Sequence, residues 1–187
     1  MFRGRREDRR EERQQERETF GRGGNATHYQ MRQRLVSIGQ DFNIENDRGE
    51  RVYHIDGKAL RLRQTVIFQD AHGHELCKVQ ERIARIKDTM EIEGPNGEDL
   101  ATVKKALITP LRDRWTVKVG AGPDLEIQGN ILDHEYVMEA GGRKVAEVSK
   151  RWFRVADTYG VEIAPGQNDV VLLAATVAVD MMAHRAH

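Results

Sequence analysis

The stretch from Asn168 to His187 limits what this chain can fold into more than any other. From Val170 to Val179 every residue but Thr176 is apolar, and Met181, Met182 and Ala183 extend the run. A surface helix shows one apolar stripe and one polar face, whereas a helix apolar on all sides is enclosed. A membrane span takes about 20 apolar residues, and the pieces here, interrupted by Asp180, total roughly 14. The run therefore predicts a helix at about 168–183, roughly 20 Å long, wrapped by the rest of the chain.

Composition permits such a wrapper. Hydrophobic residues make up 39% of the 187 residues, which suits one domain with an appendage. The 30 basic and 30 acidic residues cancel, so only local clusters can favour an anionic partner, and no nucleic acid is expected. The single cysteine, Cys77, excludes an intrachain disulfide framework and a cysteine-based zinc site. Residues 1–24 carry charges but no apolar segment of the kind that a secretory signal needs, so a cytoplasmic setting is expected.

Residues 1–27 differ from the remainder of the chain. Arginines alternate with acids from Arg3 to Arg22, and only Phe2 and Phe20 are large and apolar. Such a composition buries too little surface to offset its ordering entropy, so the segment reads as a mobile, disordered arm. Its removal is expected to leave the melting temperature nearly unchanged.

The domain, residues 28–187, contains an internal repeat. Gly49, Gly73, Gly97 and Gly142 each close a turn-rich stretch. Ahead of them Phe42/Ile44, Val66/Phe68, Met90/Ile92 and Tyr136/Met138 alternate with the period of a half-buried strand. Val52, Leu76, Leu100 and Val145 follow three residues after each glycine, and Ile55, Val79, Val103 and Val148 follow six after. Each unit is a β-hairpin with glycine where φ must be positive. Trp115–Val119 and Leu125–Ile127 form another hairpin, a first strand is placed near Leu35–Ile38, and a last near Tyr159–Ile163. About a dozen short strands indicate a sandwich or barrel. A barrel of that size has a lumen too wide for strand side chains to fill. The apolar helix fits that space, giving a mainly β fold, a closed antiparallel barrel around its own C-terminal helix.

Several segments resemble the LURP-one-related family: Met31–Leu35, Asp56–Leu60, Gly122–Ile127, Asp133–Tyr136, Ser149–Phe153, Asp157–Val161 and the closing helix. The resemblance implies the tubby-like fold, twelve strands around a central helix. Tubby proteins bind phosphoinositide head groups, and the related phospholipid scramblases act at membranes. The palmitoylated cysteine cluster and proline-rich segment associated with scramblases have no counterpart here.

Chemistry-bearing residues are few. Cys77 lies within a strand and reads as inert filler. His72 and His74 flank a turn glycine, with no other Cys or His nearby to complete a tetrahedral set, and read as a surface turn. His134, between Asp133 and Glu135, resembles an acid–base pair, but a structural hydrogen bond is the expected role. Neither Gly21–Gly24 nor Gly120–Pro123 has the context of a phosphate loop. No catalysis, metal or cofactor is expected.

One pattern points to function. Nine and twelve residues past the turn glycine stand Lys58 and Arg61, Arg82 and Arg85, Arg151 and Arg154. Lys150 adjoins the last pair, and the third repeat carries Lys104 and Lys105 instead. Equivalent positions in repeated hairpins belong at one level of a barrel, where they form a basic rim suited to phosphate. Trp152 and Phe153, between Arg151 and Arg154, belong either to that rim, within reach of a membrane interface, or to the core. The expectation is a non-enzymatic module recognising anionic phospholipid head groups, cytoplasmic and peripheral at the membrane. The alternative is a soluble scaffold for protein partners, with Glu81, Asp88, Asp113 and Asp157 neutralising the rim.

Overall fold

Alternation of apolar and polar side chains, with a period of two, produces twelve strands: β1 (Thr27–Arg32), β2 (Phe42–Asn46), β3 (Arg51–Leu60), β4 (Thr65–Asp70), β5 (Glu75–Glu81), β6 (Thr89–Glu93), β7 (Asp99–Lys105), β8 (Asp113–Val119), β9 (Leu125–Asn130), β10 (Glu135–Ala140), β11 (Arg143–Ser149) and β12 (Thr158–Ile163). Each pairs antiparallel with the next. β1 also pairs with β12, from Thr27 opposite Ile163 to Arg32 opposite Thr158, so the sheet closes into a barrel and exposes no edge. The structure, a computed structural model, describes residues 11–12, 14–16, 18–21, 23–32, 41–60, 65–82, 89–106, 113–152 and 158–183, without the side chains of residues 32, 58–60 and 113. The strand expected near Leu35–Ile38 lies outside the described residues; among those described the first strand is β1.

The four aligned glycines adopt φ of +74° (Gly49), +87° (Gly73), +82° (Gly97) and +80° (Gly142). Just ahead of each turn the outgoing strand shifts register, at Ile44/Glu45, Phe68/Gln69, Ile92/Glu93 and Met138/Glu139. In the first three units the glycine N–H donates back to residue i of the turn, as in Gly73 to Asp70 O at 3.1 Å. That is the hairpin in which a left-handed glycine follows a tight turn and bulges one strand. Antiparallel order places these turns together at one mouth of the barrel. β3, β5, β7, β9 and β11 all end at the other.

The helix Asp169–Ala183 enters at the glycine mouth and fills the lumen, and every residue from Val171 to Ala183 is buried. Asn168 Oδ1 accepts the Val171 N–H at 3.2 Å, satisfying one free donor of the first turn. Asp169 sits where the helix dipole favours an acid and accepts the Tyr29 hydroxyl at 2.5 Å, tying the helix to β1. Inward-facing Ile44, Ile55, Phe68, Val79, Met90, Ile92, Val103, Val117, Ile127 and Met138 form the wall around it, each fully buried. Each such side chain contributes about 1.5–3 kcal/mol by leaving water. Cys77 belongs to this wall, and burial pushes its thiol up to about 12, consistent with inert filler. Among the described residues no helix is long and apolar enough to cross a membrane.

The described part of the N-terminal segment differs from the expected free arm. Residues 11–12, 14–16 and 18–19 are helical, and Phe20 is buried. Lys144 on β11 reaches Glu16 at 2.6 Å and Glu147 at 2.7 Å, with its ammonium 4.3 Å from the Phe20 ring centre. The Gly21 N–H donates to Glu162 at 3.0 Å. Composition averages over the whole segment, and one aromatic anchor seated beside an ion-paired lysine escapes that average.

Candidate anion-binding mouth of the barrel

At the mouth opposite the glycine turns, strand ends bring basic residues together from distant stretches of chain. Lys58 lies near the end of β3, Arg82 follows β5, Lys104 and Lys105 close β7, and Lys150 and Arg151 follow β11. β3, β5 and β7 are separated by one strand each, so their ends stand about 10 Å apart. β11 adds its cations from further round the rim. Arg61, Arg85, Arg154 and Phe153 lie outside the described residues.

Among the described side chains two of these cations, Arg82 and Arg151, have acidic partners, which come from neighbouring strands rather than from neighbours in sequence. Arg82 Nε is 3.0 Å from Glu91 on β6, and Arg151 Nε is 3.2 Å from Glu135 on β10. Glu135 also accepts the Ser149 hydroxyl at 2.9 Å and the Lys150 N–H at 3.1 Å, pinning the end of β11. Among the described residues no carboxylate lies within ion-pair distance of Lys104, Lys105 or Lys150. The Lys105 ammonium instead sits 5.5 Å from the centre of the Trp115 ring. Of the four acids expected to neutralise the rim, Asp88 and Asp157 and the Asp113 side chain lie outside the described set.

Leu132, 46% exposed, and Trp152, 37% exposed, are the exposed large hydrophobic side chains among the described residues. Leu132 lies in the β9–β10 connection and Trp152 just past β11, with β10 between them in the sheet. Both stand at the basic mouth. Trp152 is thus a surface residue rather than core, and its side chain also lines the outer cleft with Glu16, Phe20, Lys144, Glu147 and Glu162.

Below this mouth, Asp180 in the last turn of the helix accepts the Tyr159 hydroxyl at 2.6 Å and lies 3.3 Å from His134 Nε2. His134 stacks on Tyr159 at 4.3 Å between ring centres, in a backbone conformation with φ +51°. Tyr136 completes the cluster, its hydroxyl beside Thr176 without good hydrogen-bond geometry. Burial, then the Asp180 charge, pushes the Tyr136 and Tyr159 hydroxyls well above their ordinary value. His134 is thus buried within hydrogen-bonding distance of a carboxylate. Its partner Asp180 is the residue that sequence reasoning passed over as a break in the apolar run. An acid inside a helix apolar on every side was itself the signal, since a buried carboxylate requires partners.

Together these features define a closed antiparallel barrel that is filled by its own C-terminal helix and gathers cations at the mouth where that helix ends. The chain belongs to the LURP-one-related family, whose model matches residues 27–180. It is 22% identical over 152 residues to the uncharacterised protein YxjI of Bacillus subtilis (strain 168), covering 81% of this chain and 91% of that protein. A solved structure of an Arabidopsis thaliana protein superposes with a TM-score of 0.62 at 17% identity, covering 87% of this chain and 92% of the other. That likeness establishes the tubby-like architecture.

Proposed function

We propose that this protein is a non-enzymatic binding module that recognises anionic phospholipid head groups, phosphoinositides among them, at the basic mouth. The observation that carries this reading is a coincidence of position. The exposed large apolar side chains among the described residues, Leu132 and Trp152, stand at the same mouth as Lys58, Arg82, Lys104, Lys105, Lys150 and Arg151. Basic residues near an anionic leaflet contribute about 1 kcal/mol each, while an amphipathic tryptophan and a leucine gain by entering the interface. The ion pairs of Arg82 and Arg151 are surface pairs worth about 0–1 kcal/mol, so exchanging a carboxylate for a phosphate costs little. In this reading the protein works at the cytoplasmic side of a membrane as a peripheral protein. A scaffold for protein partners has less support, because among the described residues Leu132 and Trp152 form no broad apolar patch.

Co-sedimentation of the full chain with neutral, phosphatidylserine and phosphoinositide vesicles tests the proposal. Binding to the anionic vesicles is expected, weakened by salt because screening acts over about 8 Å at physiological ionic strength. It should be lost in a variant combining Lys104→Ser, Lys105→Ser, Lys150→Ser and Arg151→Ser. Absence of binding to every vesicle at low salt would remove the lipid reading.

A further inference from the structure

At the opposite mouth, the turn between β4 and β5 brings three metal-binding side chains together. The Asp70 carboxylate and the imidazoles of His72 and His74 each offer one donor atom, and these atoms lie within 4.8 Å of one another. Asp70 Oδ2 is 2.9 Å from His74 Nδ1 and 3.8 Å from His72 Nδ1. From these observations we infer a binding site for a single divalent transition-metal ion of the Zn2+ class, held by Asp70, His72 and His74.

The carboxylate is already oriented for this role. Its other oxygen, Oδ1, accepts the His72 N–H at 2.8 Å and the His74 N–H at 2.9 Å. Those two bonds fix the carboxylate and leave Oδ2 facing both rings. Fixing a ligand through its second hydrogen-bonding atom is how outer contacts hold a metal ligand in place. With metal–ligand bonds of 2.0–2.1 Å, tetrahedral donors stand about 3.3 Å apart. His72 and His74 are exposed, so their rings have room to turn toward that spacing.

The turn itself does not require these residue types. In the β2–β3 hairpin the same backbone pattern is made by Asn46, whose Oδ1 accepts the Arg48 and Glu50 N–H groups at 3.0 Å. Positions equivalent to His72 and His74 hold Arg48 and Glu50 there, paired at 3.1 Å. The fold therefore supplies the turn in both hairpins, and only the second populates it with two imidazoles and a carboxylate. Two nitrogens and one oxygen on one side of an ion, with the remaining positions open, suit Zn2+, Ni2+ or Cu2+ over Mg2+ or Ca2+, which prefer all-oxygen sets.

Isothermal titration of the full chain with ZnCl2, and with MgCl2 as the control, reads this directly. One Zn2+ per chain is expected, with no response to Mg2+. His72→Gln together with His74→Gln should weaken binding at least tenfold with an unchanged melting temperature, because both side chains are exposed. Asp70→Asn should weaken it while keeping the turn, as Asn46 does. A His184→Ala, His187→Ala variant should bind as the parent does. The proposal is overturned if Zn2+ produces no saturable heat, or if binding survives the double glutamine variant.

Discussion

Tyr159 donates its hydroxyl to Asp180 at 2.6 Å inside the barrel, joining the start of β12 to the last turn of the helix, with neither residue more than 1% exposed. His134 stacks on the same tyrosine and approaches the same carboxylate oxygen. A carboxylate withdrawn from water is tolerated only with such partners, and this contact ties the end of the helix to β12. Tyr159→Phe removes a charge-assisted hydrogen bond while keeping the ring. A loss of about 1.5–3 kcal/mol in urea unfolding is expected. A change indistinguishable from zero would mean that the helix is held by apolar packing alone.

Alkaline stability should follow the tyrosines. All four, Tyr29, Tyr53, Tyr136 and Tyr159, have hydroxyls raised above the ordinary value of 10.0, first by burial. Unfolded, they ionise near 10; folded, they retain their protons at higher pH. The unfolded chain therefore binds fewer protons above about pH 10, and the stabilisation present below that pH is lost as pH rises further. Tyrosinate absorbance should appear in step with the loss of circular dichroism. Ionisation at ordinary values in a chain that stays folded would contradict this.

Phe20 anchors the N-terminal segment. Phe20→Ala exposes a side chain position now only 9% accessible, and the expected cost is about 1.5–3 kcal/mol. Thermal melting of this variant, alongside a chain lacking residues 1–25, decides whether the segment is integral. Equal falls in melting temperature would assign the effect to the one aromatic ring.

Gly129 on β9 has φ +146°, and a Cβ there would stand 2.4 Å from Glu135 O and 2.6 Å from Tyr136 Cα. Both are backbone atoms of the partner strand and cannot rotate away. Gly129→Ala is therefore expected to be among the more damaging small substitutions, costing more than the ordinary ~1 kcal/mol of a point mutation. Denaturant titration measures it; a value near zero would mean that the β9–β10 pair yields easily.

The two contributions to the proposed membrane binding should separate with salt. Leu132→Ser with Trp152→Ser removes interfacial insertion and leaves the cations in place. Vesicle binding is expected to persist at low salt and fall sharply at physiological salt, where charge is screened. Co-sedimentation at the two ionic strengths gives the comparison, and an unchanged profile would remove these side chains from the interface.

Much of the architecture was legible because periodicity is local. A two-residue alternation around each of four spaced glycines identified the hairpins, and a run without a polar face identified the lumen helix. The rim was legible only as a register argument. Lys58, Arg82 and Arg151 share a repeat position, yet their carboxylate neighbours are set by which strands lie side by side, so Glu91 and Glu135 could not be named from chain distance. The surroundings of Phe20 were hidden for the same reason, since it lines a cleft with Lys144, Glu147, Trp152 and Glu162, far away in sequence.

By itself, then, the sequence determined that this chain must be a twelve-strand-scale barrel wrapped around its final helix, because burial patterns follow from neighbours two to four residues away. Only the tertiary structure decided what closes and equips it: β1 joined to β12, Asp180 held by Tyr159 and His134, Leu132 brought to the basic mouth, and Asp70 aimed at two imidazoles. Each of those depends on the direction in which a side chain leaves a particular strand or turn, and that is fixed only once the sheet has closed.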